Sequence, residues 1–218
     1  MEWRANDKIV FIGDSITEEG RFEDPESIGA GYVRLIHDLL LIKHPDLNLN
    51  ILNKGIGGSR ITDLAERWEK DVIDENPDWV SVSIGINDVW RQLDRPEIEQ
   101  VFPDMFEQVY DEILKQVHQL TSARLIIMEP TLIEENADSE GNRLLRPYVE
   151  ASQKLAERYS AVLIPEHQAF LTYLKANNQI ALTTDGVHMN SKGDMLMATT
   201  WLNTMDKCSV LKEGGSSS

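Results

Sequence analysis

The chain of 218 residues has a single cysteine, Cys208, so it can close no internal disulfide and build no cysteine-based metal cluster. Basic side chains are also scarce: 21 Lys and Arg stand against 37 Asp and Glu, a formal net charge of −16. Such a field repels phosphate backbones and anionic bilayers, which argues against nucleic acid and membrane partners. No apolar run approaches the length of a membrane span, and the first seven residues, Met1 to Asp7, contain no apolar leader core. A cytoplasmic location is the resulting expectation. Two phosphate-cradling patterns are missing as well: no Gly-Lys-Ser/Thr follows the first apolar run, and the spaced glycines of a dinucleotide fingerprint are absent.

What is present is an ordinary globular balance, 41% hydrophobic residues, enough for a sizeable core without staples. Five short apolar runs, at 8–12, 49–52, 79–84, 124–128 and 161–164, are each bounded by turn-forming or polar residues, as buried parallel strands are. Between them apolar residues recur at spacings of three and four. Tyr32, Leu35, Ile36, Leu39 and Leu40 make one such face, and Phe102, Phe106, Val109, Ile113 and Val117 another. Pro147 suits the first turn of a helix over 148–159, and Ser191 is a candidate cap for a last helix over 191–204. Five strands alternating with helices predict a three-layer α/β fold with a mostly parallel sheet. With no repeat and no Pro-rich linker, a single domain is expected over 1–209, and the Gly/Ser-rich ending makes 210–218 a flexible tail.

In an open α/β sheet the reactive groups lie beyond the carboxyl ends of the strands. After the first run stands Gly13-Asp14-Ser15-Ile16-Thr17. Ser15 there is either a helix cap or a nucleophile on a tight turn, its hydroxyl facing solvent and its N–H available to an oxyanion. A serine hydroxyl needs a base to take its proton, and that base needs an orienting carboxylate. Of five histidines, His37 and His118 fall in helical patterns, and His44 and His167 near a helix end or loop. His188 differs, because it follows Asp185 by three residues in a loop before the last helix, close enough for the carboxylate to hold Nδ1–H. Asp14 either organises the turn at Ser15 or satisfies local backbone donors. After the second run comes Asn53-Lys54-Gly55-Ile56-Gly57-Gly58, a glycine-rich turn or a place for a bare N–H to meet a substrate oxygen. After the third comes Gly85-Ile86-Asn87-Asp88, where the Asn87 amide is a turn residue or a donor to a tetrahedral intermediate.

These four blocks, Gly13-Asp14-Ser15, Asn53-x-Gly55-x-Gly57-Gly58, Gly85-x-Asn87-Asp88 and Asp185-x-x-His188, resemble in residues and order the SGNH, or GDSL, hydrolase family. The resemblance implies a flavodoxin-like three-layer α/β/α sandwich around a five-stranded sheet, with Ser15 as nucleophile, His188 as base and Asp185 as its partner. It implies an oxyanion hole of Ser15 N–H, Gly58 N–H and Asn87 Nδ2, and neither metal nor organic cofactor. The stretch 85–92 further resembles the carbohydrate acetyl esterase branch, notably acetylxylan esterases. On that reading the substrate is an acetylated xylooligosaccharide or a similar small ester, with Trp90 and Arg91 at the rim of the site. A lysophospholipase, thioesterase or broad short-chain esterase of the same family is the alternative, and a non-catalytic binding module a remote one. Self-association follows only by analogy with related acetyl esterases. Thr184 departs from the family's hydrophobic or aromatic residue at that position.

Overall fold

The five apolar runs become five strands, of which the central ones are buried on both faces. The computed structural model describes residues 3–176 and 180–213. The strands are β1 (Lys8–Gly13), β2 (Asn50–Asn53), β3 (Trp79–Ser83), β4 (Arg124–Met128) and β5 (Val162–Ile164), all parallel in the order β2-β1-β3-β4-β5. Ile9 to Ile12, Val80, Val82 and Ile126 to Met128 are fully enclosed, each such aliphatic side chain contributing about 1.5–3 kcal/mol. This is the flavodoxin-like strand order, whose direction of travel reverses between β1 and β3.

Eight α-helices lie among the described residues: α1 (Ser15–Glu18), α2 (Tyr32–Lys43), α3 (Ile61–Trp68), α4 (Ile86–Asp94), α5 (Pro103–Leu120), α6 (Glu140–Arg158), α7 (Glu166–Ala176) and α8 (Ser191–Glu213). None is long and apolar enough to cross a membrane. α2, α7 and α8 pack on one face of the sheet, where Phe11 meets Tyr32 and Trp201, and Trp201 Nε1 donates to the buried Ser81 Oγ across a 3.1 Å bond. α3, α5 and α6 pack together on the other face. The register places Gly13 of β1 beside Ser83 of β3, so the turns after these two strands open side by side.

Several helix limits differ from the sequence expectation. α6 starts not at Pro147 but after Ser139, whose Oγ accepts from Asn142 N at 3.1 Å. Pro147 sits inside the helix; the carbonyl that loses its N–H partner belongs to Arg143, an exposed residue that water can reach. The cap of α8 is Asn190 rather than Ser191, its Oδ1 accepting from Lys192 N and Gly193 N at 2.9 and 3.3 Å. α8 also runs past 204 to Glu213, so 210–213, expected as tail, are helical, and 214–218 lie outside the described residues. The periodicity placed Leu39 and Phe102 on buried faces, but both are exposed. The core stripe of α5 is Phe106, Tyr110, Ile113, Leu114 and Val117 instead.

Candidate active site

The turn after β1 is so tight that only glycine fits its first position: a Cβ on Gly13 would meet Thr17 Oγ1 at 2.3 Å and Ser83 O at 2.4 Å. The residue that caps α1 is Asp14, whose Oδ1 accepts from Ile16 N at 3.0 Å. Ser15 is thus released from capping and stands half-buried as the first residue of α1, its Oγ 2.8 Å from His188 Nε2. Burial pushes the Asp14 carboxyl up to about 6, against the Ile16 N–H bond and the attraction of His188.

The segment before α8 delivers the histidine. Asp185 Oδ1 accepts from the backbone N–H of Val187 and His188 at 3.0 and 2.8 Å, and Oδ2 lies 2.7 Å from His188 Nδ1. Nδ1–H donating to Asp185 leaves the Nε2 lone pair toward Ser15, the tautomer that can take a proton from a hydroxyl. Partial burial works to raise the Asp185 carboxyl, but its bonds to the His188 side chain and to two backbone N–H groups hold it below the ordinary value. Thr184 faces outward, and its N–H and Oγ1 meet the His188 carbonyl at 2.8 and 3.2 Å.

The turns after β2 and β3 close the other side. Asn53 Nδ2 donates to Thr17 O and Ile28 O at 2.6 and 2.8 Å, and its Oδ1 accepts from Gly55 N, tying the end of β2 to α1. A Cβ on Gly57 would lie 3.8 Å from Ser15 Cβ, so this loop passes beside the serine. Gly58 has a φ of +77° with open space where a Cβ would stand, so its backbone conformation is what selects glycine. Asn87, buried in the first turn of α4, donates from Nδ2 to Ser59 O at 3.1 Å and accepts at Oδ1 from Arg91 Nη2 at 3.3 Å. Its second amide hydrogen is free of that bond. Sequence reasoning passed over Arg67, which bridges Gly13 O and Lys54 O, and gave no role to Asp88, which caps Ile61 N of α3; both lock the three turns together. The carbonyls that Arg67 bridges and the N–H that Asp88 caps lie 13 to 54 residues away, and the one local signal, the i,i+4 pair of Arg67 with Asp71, points to an ordinary helix ion pair.

Trp90 follows this block and meets His188 edge-on, with ring centroids 5.7 Å apart. Arg91 stacks over Trp90 at 5.1 Å and pairs with Asp94, so it is committed to neighbours on its own helix. Among the described residues, no group of three or more His, Cys, Asp or Glu side chains is placed to hold a metal ion.

The buried acids around the site give stability a definite pH dependence. Burial raises Asp14 and Asp194 to about 6 and Asp88 to about 7, and it holds Glu166 well above the ordinary carboxylate range, where Glu129 adds to the effect. A carboxyl raised in the fold contributes stability that is present below its unfolded value, about 4, and is lost as pH rises through the folded value. The groups held low, Asp185 and Glu75, act only below that window. The unfolding temperature is therefore expected to rise as the pH falls from about 8 to about 5.5. Glu166→Gln, which removes a fully enclosed carboxyl with no hydrogen-bond partner on either oxygen, is expected to raise it at pH 8 by about 2–4 °C and to flatten the profile. Calorimetry across this range checks both; a parent Tm that increases toward pH 8 contradicts the assignment.

Comparison with known proteins places the chain in a family. Residues 11–196 match the model of the GDSL-like lipase/acylhydrolase family. The chain is 37% identical over 210 residues to an acetylxylan esterase of Geobacillus stearothermophilus, spanning 93% of this chain and 95% of that protein. The crystal structure of a catalytic mutant of Axe2, an acetylxylan esterase from the same organism, matches with a TM-score of 0.88 at 35% identity, over 94% of this chain and 96% of that one. LAE5, an α/β hydrolase from the metagenome of Lake Arreo, Spain, matches with a TM-score of 0.87 at 33% identity, over 93% and 96%. The chain belongs to the GDSL-like lipase/acylhydrolase family and is a carboxylic ester hydrolase.

Proposed function

We propose that this protein removes acetyl groups from carbohydrates, with acetylated xylose or short xylooligosaccharides as the preferred class, through an acyl-enzyme on Ser15. The observation that carries the chemistry is the continuous line from Asp185 Oδ2 to His188 Nδ1, 2.7 Å, and from Nε2 to Ser15 Oγ, 2.8 Å. His188 takes the Ser15 proton as Oγ bonds to the ester carbonyl carbon, and the carbonyl π electrons move onto oxygen. Collapse of the tetrahedral species breaks the bond to the sugar oxygen, which receives the proton from His188. Water, deprotonated by the same histidine, then releases acetate and restores the hydroxyl on Ser15.

The oxyanion lies among Ser15 N–H, Gly58 N–H and the second Nδ2 hydrogen of Asn87. Arg91, by bonding Asn87 Oδ1, fixes which end of that amide faces the reaction. Asn87→Ala is expected to lower kcat by about 10²–10³ with little change in KM, since the developing charge and not the bound ester is what it contacts. A change confined to KM would make Asn87 a substrate-binding residue only.

The sugar preference rests on similarity to acetylxylan esterases and on Trp90, whose indole stands against His188 where the leaving alcohol departs. An indole face suits the apolar face of a pyranose. The test compares kcat/KM for acetylated xylosides, acetylated glucosides and octanoyl esters in the parent and in Trp90→Ala. Xylosides are expected to lead, and Trp90→Ala to lose about tenfold on sugar esters alone, the order of one aromatic contact. Preference for octanoyl chains, with Trp90→Ala silent on sugars, would favour the lipid or thioester reading and leave the hydrolase intact.

A further inference from the structure

The segment that carries Asp185 and His188 has almost no regular structure to hold it, only the isolated bridge between Thr183 and Met189. It is gripped instead by the loop after β4. One oxygen of Glu135, Oε1, accepts three hydrogen bonds: from Leu182 N at 2.9 Å, Thr183 N at 2.8 Å and Thr183 Oγ1 at 2.6 Å. Having donated its proton to Glu135, Thr183 Oγ1 can only accept from its other neighbour, and it does so from Gly186 N at 3.2 Å. Gly186 O accepts in turn from Glu134 N at 2.7 Å. The peptide groups on both sides of Gly186 are therefore tied down, one residue after Asp185. The gripping loop is itself cross-tied by hydrogen bonds. Asn142, at the start of α6, accepts from Ile133 N at 2.8 Å and donates to Glu134 O and Asn136 O at 3.1 and 2.8 Å, while Ser139 Oγ donates to Ile133 O at 2.8 Å.

We propose that Glu135 is a positioning residue for the hydrolysis. Its carboxylate sets the Thr183–Gly186 turn and, through it, the placement of Asp185 against His188. It touches no reacting atom. The proposal rests on the reading above that Asp185 and His188 serve Ser15. Its physical basis is that a charged acceptor fixes two successive N–H groups and a hydroxyl at once, which a water molecule replacing it cannot do with the same geometry. A displacement of about 1 Å at a reacting group can cost on the order of 10²-fold in rate, so a loosened strap acts on kcat.

The test is steady-state hydrolysis of a nitrophenyl acetate ester, with the folded fraction measured at assay temperature. Glu135→Ala is expected to lower kcat by about 10–100-fold with KM near the parent value. Glu135→Gln, which retains Oε1 as an acceptor, is expected to recover most of the loss. The low-field proton resonance of His188 Nδ1–H against Asp185 should broaden in the alanine variant and return in the glutamine variant; loss of folded protein alone cannot produce that pattern. Thr183→Val breaks only the hydroxyl relay and is expected to lower kcat by a smaller factor, with Thr183→Ser restoring it. It decides the matter if Glu135→Ala does not fold. A kcat within about threefold of the parent in Glu135→Ala, or in Thr183→Val if that variant has to stand in, overturns the proposal, as does a loss that merely follows the unfolded fraction. Failure of the underlying reading looks different: Ser15→Ala or His188→Ala would then keep its turnover, whatever Glu135 does.

Discussion

Ser15→Ala is expected to lower kcat by a factor on the order of 10⁴–10⁶ while the protein unfolds at close to the parent's temperature. The size of the loss follows from the absence of a substitute. His188 Nε2 then faces a methyl group, and a water molecule taking the place of Oγ could not form the acyl-enzyme that divides the reaction into two easier steps. What remains is the rate supplied by the oxyanion donors and by substrate binding. The fold should not notice the change. The cap of α1 is the Asp14 carboxylate, and Ser15 Oγ is bonded to His188 rather than to the helix. Ester hydrolysis, thermal unfolding and reaction with a fluorophosphonate probe check the three parts. More than about one per cent of parental kcat would remove Ser15 from the role of nucleophile. His188→Ala should lose as much, and the double variant no more than either single one, because the two groups act as a unit.

Asp185→Asn is expected to cost about 10⁴ in kcat, although it changes a single atom. The reason lies in how the carboxylate is already engaged. Its Oδ1 accepts from the N–H groups of Val187 and His188, so the amide of an asparagine there must turn its oxygen toward these two donors. Its NH₂ then faces Nδ1, which can receive that bond only by carrying no proton. The ring proton moves to Nε2, and the lone pair that should accept from Ser15 Oγ is gone. The backbone bonds persist, so folding is preserved while the base is in the wrong tautomer. Near-parental kcat would show that His188 is oriented by something other than Asp185; loss of activity with loss of structure would show that the carboxylate serves mainly to hold the turn.

The pieces of this site that could be read along the chain are those whose cause is local. β4 coincides with its apolar run because four successive residues that bury well on both faces, Leu125 to Met128, need no information from elsewhere. Gly13 and Gly58 mark positions where only backbone without a side chain can pass or turn, and Asp185 with His188 form a pair three residues apart whose bond lies within one turn. Where a local signal was ambiguous, the reading slipped to the neighbouring residue or to the wrong end. Ser15 and Ser191 both looked like caps, yet Asp14 and Asn190 do the capping, because the side chain one position earlier reaches the free N–H groups. Pro147 looked like a helix start, yet the cap at Ser139 already commits the backbone eight residues before it. Leu39 and Phe102 fit an apolar period and still face solvent, since a period says which face is apolar but not how far the neighbouring elements extend over it.

The remainder depends on partners distant in sequence. Ser15 and His188 are separated by 173 residues and meet at 2.8 Å; Arg67 reaches Gly13 over 54 residues, and Glu135 reaches Thr183 over 48. The amino acids along the chain specify the strands, the tight turns, the Asp-His pair and the chemical class that four ordered blocks imply, because these follow from steric and hydrogen-bonding limits within a few residues. Folding alone establishes that the turn after β1, the loop before α8 and the loop after β4 converge on one point. That convergence is a property of the strand order β2-β1-β3-β4-β5 and of the helices packed on each face. It is held by many long-range contacts at once, so no short stretch of sequence encodes it.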